Sequence, residues 1–263
     1  MFQAAGLSYR ALGAGPPVVV LHPGPGLDGS VFLPGVERLR AAGHRVLLLD
    51  LPGSGQSFEG EWTLAGQAAA VERFARALEL HDWTLLGHSF GGYVALQHLV
   101  DHGTAARLIA SCTDADEEEA PGVPEDRFAG LPEDVAASVR AAFEREGTVA
   151  TPEECRQVWL DQLPFFSAHD ISPMLSDVHF RPEAHHARDW GDLHALDALA
   201  RAEIPVLAIG AEDDRPQPPA NAERIAAAAK HGTLLRVPGG HFPFAEDPAR
   251  YWSAVVDWLS TSR

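Results

Sequence analysis

Short, almost unbroken apolar runs alternate along this chain with longer stretches whose apolar positions recur every three or four residues. The runs are PPVVVLH (16–22), RVLLLD (45–50), WTLLGHS (83–89), RLIASC (107–112), PVLAIGA (205–211) and TLLRVPG (233–239). Most are apolar at successive rather than alternate positions, the pattern of strands covered on both faces. Helical spacing appears near Leu33–Ala42, near Leu64–Leu80 with Thr63 as N-cap, after Gly91, near Ala220–Lys230, and over Pro248–Leu259. The last opens with Asp247 as N-cap and proline at the first helical position, where a missing N–H costs nothing. Strand–helix alternation predicts a mostly parallel central sheet flanked by helices. GLSYRALGAG near the N-terminus is expected to add an antiparallel hairpin at the sheet edge.

One region breaks the rhythm. Between Thr113 and Ala202 no strand run stands out, and helical patterns at Glu133–Arg145 and Pro152–Leu163 follow the acidic, proline-rich DADEEEAPGVPED. An insertion of this size after a strand, before the sheet resumes, predicts a mainly helical cap over 113–202 on a core made of 1–112 and 203–263. Trp159, Leu163, Phe165, Phe166 and Met174 either line a pocket under the cap or pack the cap to the core; Trp159, Phe165 and Phe166 are taken as candidate substrate contacts.

Composition narrows the class. The chain has 263 residues, 46% hydrophobic and 22% charged, enough for a substantial core. A formal net charge of −17 argues against non-specific nucleic-acid binding, which needs Lys and Arg to displace counterions. Two cysteines, Cys112 and Cys155, cannot build a disulfide scaffold at this length. The first residues lack the charged-then-apolar order of a signal peptide, and no apolar run approaches the ~20 residues of a bilayer span. The expectation is a cytoplasmic protein with no membrane or nucleic-acid partner. Oligomeric state is not legible.

The stretch LLGHSFGGYVAL (85–96) carries the chemistry. Ser89 falls where a buried strand turns into a helix. Such a turn exposes the hydroxyl and crowds the positions two before and two after it, so both must be tiny; they are Gly87 and Gly91. Serine is a poor nucleophile unless a base and an orienting acid serve it. His241, in VPGGHFPFAEDP, follows the last strand run and precedes the last helix, at the same sheet edge as Ser89. AIGAEDDRPQPP, after the preceding strand, offers Glu212, Asp213 and Asp214 as the acid.

These motifs resemble the α/β-hydrolase superfamily over almost the whole chain outside the cap. Laying the family's strand-then-acid segment on IPVLAIGAEDDRPQPP, with Pro218 and Pro219 as anchors, puts the acid at Asp214. Counting three residues from Gly210 gives Asp213 instead; Asp214 is preferred because the proline pair and the strand start agree on it without gaps. HPGPGLDGS (22–30) resembles the His-Gly-Gly-Pro-Gly loop of the proline iminopeptidase branch. The resemblance implies an oxyanion hole from the N–H groups of Gly24 and Phe90, with His22 orienting the loop. Pro23 replaces the first glycine of that loop, at a position that need not donate. DLPGSGQS (50–57) matches a further family loop with an expected structural role.

The implied function is a serine hydrolase acting on a small ester or amide, or on a short peptide with an N-terminal proline, through an acyl-enzyme and with no cofactor. A ligand-binding protein on the same fold is the alternative of another class. His179, His185, His186 and His194 cluster in the cap without a metal-ligand spacing.

Overall fold

The computed structural model describes residues 1–24, 26–58, 60–117, 124–186 and 191–262. In chain order the elements are β1 (Phe2–Ala4), β2 (Leu7–Leu12), β3 (Pro17–Leu21), α1 (Leu33–Ala41), β4 (Arg45–Leu49), α2 (Leu64–Ala77), β5 (Thr84–His88), α3 (Phe90–Asp101) and β6 (Arg107–Ser111). There follow β7 (Asp116–Glu117), α4 (Glu133–Arg145), α5 (Pro152–Phe166), α6 (Pro182–His186), β8 (Leu193–His194) and α7 (Leu196–Arg201). The chain closes with β9 (Pro205–Ala211), α8 (Pro219–Ala228), β10 (His231–Val237), α9 (Pro243–Glu246) and α10 (Pro248–Thr261).

Eight strands form one sheet in the order β1-β2-β4-β3-β5-β6-β9-β10. β1 and β2 are antiparallel to each other, and β2 to β4; the other neighbours are parallel. The continuous apolar runs are explained by what covers them. Val18, Val20, Val46, Leu48, Leu86 and Ile109 face a layer that includes Leu39, Tyr251 and Trp252 from α1 and α10. Val19, Leu21, Leu47, Leu49, Leu85 and Leu108 face Phe74, Val94 and Ile225 from α2, α3 and α8. Each such fully buried side chain contributes about 1.5–3 kcal/mol of transfer free energy.

Local signals read from the sequence reappear as hydrogen bonds. The Thr63 hydroxyl accepts from Gly66 N–H at 3.1 Å, and Asp247 Oδ1 accepts from Arg250 N–H at 3.0 Å. The edge hairpin is present, but its outer strand is β1, upstream of Gly6, rather than a second half of GLSYRALGAG.

Three differences matter for the site. α3 begins at Phe90, directly after Ser89. A two-residue antiparallel pair, β7 with β8, brackets the insertion. α5 runs through Pro164 to Phe166, beyond the Leu163 stop expected from the sequence. Proline removes one helical donor, yet Ser167 N–H still closes on Leu163 O at 2.9 Å and Phe165 and Phe166 are buried, so the last turn survives. Within 113–202, α4 and α5 pack together, whereas Leu193, Ala195 and Leu199 are buried against the sheet layer of α3 and α8. Among the described residues no helix is long and apolar enough to cross a membrane.

Candidate active site

The site is assembled at the C-terminal ends of β3, β5, β6, β9 and β10, where parallel strands hand over to loops and helices. Ser89 sits between β5 and α3 at φ 53°, ψ −119°, a conformation that costs a non-glycine residue about 1–3 kcal/mol. The neighbours explain why the flanking glycines are required. A Cβ on Gly87 would lie 2.1 Å from Gly91 O, and one on Gly91 would lie 2.4 Å from Leu21 O. Both obstacles are backbone, which cannot step aside. Ser89 N–H donates to Ser111 O at 2.9 Å, and Thr113 Oγ1 donates to Ser89 O at 3.0 Å, so the end of β6 braces the turn on both sides.

Three residues far apart in the sequence meet here. His241 Nε2 lies 2.9 Å from Ser89 Oγ. His241 Nδ1 lies 3.0 and 2.9 Å from the two carboxylate oxygens of Asp214. The carboxylate is buried and also accepts Gln217 N–H at 2.8 Å. Asp213, the other acid the sequence allowed, is exposed and borders the cavity described below, its N–H donating to Gly239 O at 2.9 Å. The carboxylate that reaches the imidazole is therefore that of Asp214.

The loop after β3 borders the same turn, because the His22 carbonyl would be 2.6 Å from a Cβ on Gly91. Gly24, at φ 137°, is in that loop, and Phe90 is the first residue of α3. Both ring nitrogens of His22 are engaged by backbone groups. Leu51 N–H donates to its Nε2 at 3.1 Å, so the ring proton is on Nδ1, which donates to Pro23 O at 2.6 Å. Burial lowers its pKa, and a neutral His22 ties the β3 loop to the β4 loop. Asp50 supports the same junction, accepting Gly29 N–H and Gln56 N–H, each at 3.1 Å. Its pKa is raised to about 6 by burial and by the nearby charge of Asp28.

Several supports carried no signal in the sequence. Phe166 O accepts His241 N–H at 2.7 Å, so the end of the cap helix α5 holds the backbone of the imidazole. The Glu246 carboxylate accepts Gly240 N–H at 3.1 and 3.0 Å, fixing the residue before His241. His88 is fully buried with its ring centroid 5.1 Å from that of His241. Burial and the neighbouring His241 drive its pKa well below the usual histidine value. Its Nδ1 meets Ser111 Oγ at 3.1 Å, and Tyr251 OH donates to Ser111 Oγ at 3.0 Å. A neutral His88 places no second positive charge beneath the imidazole. Cys112, at the end of β6, is buried, and burial with the Asp214 carboxylate beside it pushes its thiol pKa well above the usual value. It is a protonated neighbour of the acid.

The aromatic candidates separate in role. Phe166 lies on the His241 imidazole, with ring centroids 5.5 Å apart, and Trp159 stacks on Phe166 at 5.6 Å. Phe165 packs against Phe166 at 5.4 Å. Phe165 and Phe166 border a cavity of about 700 Å³ that α5 shares with the loops after β9 and β10; Trp159 and Ser89 are not among its lining residues. Of the four cap histidines singled out by the sequence, two have described side chains. His179 pairs with Asp28 at 3.1 Å and His194 with Asp116 at 2.7 Å, while the side chains of His185 and His186 lie outside the described residues. Among the described residues no group of three or more His, Cys, Asp or Glu could hold a metal ion.

Comparison with known proteins agrees with this architecture. Residues 18–254 match the Alpha/beta hydrolase family. The chain is 32% identical over 254 residues to a pimeloyl-[acyl-carrier protein] methyl ester esterase of Xanthomonas campestris, covering 89% of this chain and 90% of that one. Among solved structures, a thermophilic esterase from Thermogutta terrifontis superposes with a TM-score of 0.74 at 24% identity, covering 97% of this chain and 93% of the other. The enol-lactonase from Burkholderia xenovorans superposes with a TM-score of 0.75 at 22% identity, with 97% and 96% coverage. Those two likenesses speak to the fold alone, whereas the match over residues 18–254 decides the family: the chain belongs to the alpha/beta hydrolases.

Proposed function

We propose that this protein is a serine hydrolase of small carboxylic esters, with Ser89 as nucleophile, His241 as general base and acid, and Asp214 as the orienting acid. The observation that carries the reading is the unbroken line from Ser89 Oγ through both imidazole nitrogens to a buried carboxylate, each step within 3.0 Å. Ester chemistry is favoured over other hydrolysis because the chain is 32% identical to a methyl ester esterase over 89% of its length.

His241 Nε2 takes the proton as Ser89 Oγ attacks the substrate carbonyl. Asp214 holds the tautomer with the proton on Nδ1 and stabilises the imidazolium. The N–H groups of Gly24 and Phe90 receive the developing oxyanion; loss of one such donor typically costs about 10²–10³-fold in rate. The imidazolium returns its proton to the departing alcohol, leaving an acyl-Ser89. Water, deprotonated at the same Nε2, attacks the acyl carbonyl and releases the carboxylic acid and free Ser89. A second reading, release of an N-terminal proline, draws on the HPGPG loop (22–26).

The test pairs a fluorophosphonate label with acid release from short alkyl esters. Wild type is expected to be labelled on Ser89 and to hydrolyse the esters; Ser89→Ala is expected to do neither while keeping its thermal unfolding transition. Turnover by Ser89→Ala at the wild-type rate would end the proposal. Release of proline from a Pro-Gly dipeptide without ester turnover would select the second reading.

A further inference from the structure

The mechanism uses the Nε2 edge of His241 but not the residue that covers its face. Phe166 is the last residue of α5 and plays two separable parts. Its carbonyl holds the His241 N–H at 2.7 Å. Its ring lies on the imidazole at a centroid distance of 5.5 Å and an interplanar angle of 31°. That ring is confined by Trp159 at 5.6 Å, Phe165 at 5.4 Å and Phe242 at 5.4 Å. With His241 and with Phe143 at 6.3 Å, five aromatic or imidazole rings surround this side chain and leave it little freedom to swing aside.

Phe166 also belongs to the wall of the cavity of about 700 Å³, together with Leu131, Leu163 and Ile171 of the cap and Gly239 and Gly240 of the loop before His241. A space of that size accommodates a small-molecule group with ease. Phe166 is thus the residue shared by the catalytic imidazole and an adjoining chamber whose lining does not include Ser89.

Chemistry decides which part of a substrate meets this residue. The proton that Nε2 takes from Ser89 goes to the departing oxygen, so the leaving group must come within hydrogen-bond reach of Nε2. The acyl part is held at Ser89 and the oxyanion donors instead. We infer that the Phe166 ring sets the size limit of the leaving group: it fills the space between His241 and the cavity, so esters of small alcohols are preferred and bulky alcohols meet the ring. The inference rests on the serine-hydrolase reading. The cavity is the room that a truncated side chain would open to the departing group, and the carbonyl contact to His241, being backbone, survives the truncation.

The experiment measures kcat/KM for two ester series. One keeps a butyryl group and varies the alcohol from methyl through n-butyl to benzyl. The other keeps methanol and lengthens the acyl chain. In wild type the benzyl ester is expected to fall behind the methyl ester. Phe166→Ala is expected to raise the benzyl-to-methyl ratio about 10–100-fold, the range that added or missing pocket volume commands, with the acyl series changing less than about 3-fold. Phe166→Leu, which keeps apolar packing, is expected to move the alcohol ratio in the same direction by less, and guards against an unstable alanine variant. A purely structural role lowers every ester in proportion and leaves both ratios fixed; that result, or a shift in the acyl series instead, overturns the inference. Fluorophosphonate labelling separates the two levels. Labelled proteins with unaltered ratios overturn the size limit alone, whereas a wild type that neither labels nor hydrolyses any ester overturns the serine-hydrolase reading and this inference with it.

Discussion

Replacing Asp214 by asparagine isolates the contribution of the carboxylate. Asparagine keeps the shape, and its Oδ1 can still accept Gln217 N–H, now at 2.8 Å. Gln217 N–H holds that oxygen on its own side, so the new amide NH2 stands where Oδ2 was, 2.9 Å from His241 Nδ1. Two donors facing each other are repulsive, so the imidazole is driven toward the tautomer protonated on Nε2, which cannot take the proton of Ser89. The charge is lost as well. A carboxylate about 3 Å from the imidazolium, at an effective dielectric constant near 20, stabilises the charged transition state by about 5 kcal/mol. That corresponds to a fall in kcat/KM of roughly 10³–10⁴-fold. The assay is acid release from methyl butyrate at pH 7.5, with labelling by a fluorophosphonate as a second measure and thermal unfolding to show that the fold persists. Asp213→Asn is the control: its side chain is exposed and only its backbone bonds to Gly239, so a change below about 3-fold is expected. A loss of less than about 10-fold in Asp214→Asn, or a loss that appears in Asp213→Asn instead, would refute the reasoning.

Two further outcomes test the stability side of the same architecture. Ser89 occupies a backbone conformation that glycine reaches without a steric penalty; Ser89→Gly should be more stable than Ser89→Ala by about 1 kcal/mol, seen as a melting temperature about 2 °C higher, and equal melting temperatures would show that the turn stores no strain. Asp50 titrates near 6 in the fold against an ordinary value of 3.8. The native state therefore holds the proton more tightly, and its stabilising contribution is lost as pH rises from about 4 to 6, by roughly 3 kcal/mol in all. Urea unfolding of wild type and Asp50→Asn at pH 4 and pH 7 should show that the variant lacks this decline; parallel behaviour of the two proteins would assign the pH dependence elsewhere.

Much of the architecture was written in short segments. The runs at β3, β4, β5 and β6 are apolar on both faces because each strand must face two layers, a demand visible within five residues. The glycine–serine–glycine turn was legible because its constraint is steric and local: Gly87 and Gly91 have no room for a Cβ. Thr63 and Asp247 announced their helices for the same kind of reason, since a capping oxygen serves N–H groups only a few residues away. The order of serine, acid and histidine along the chain also pointed to the loops that meet.

Tertiary structure alone decided the rest. The proline pair after β9 favoured Asp214 over Asp213, but the count from Gly210 pointed the other way, and which aspartate turns inward depends on how β9 seats its loop against the turn before His241. The continuation of α5 past Pro164 depends on burial of Phe165 and Phe166, which outweighs a lost helical donor, and it is this extra turn that brings Phe166 onto His241. The neutral state of His22 and His88, the raised pKa of Asp50 and the grip of Glu246 on Gly240 all arise from burial and from partners brought close by packing. Periodicity and steric demand act between near neighbours and are carried by the sequence; convergence, desolvation and charge act through space, and they exist only once the chain has folded.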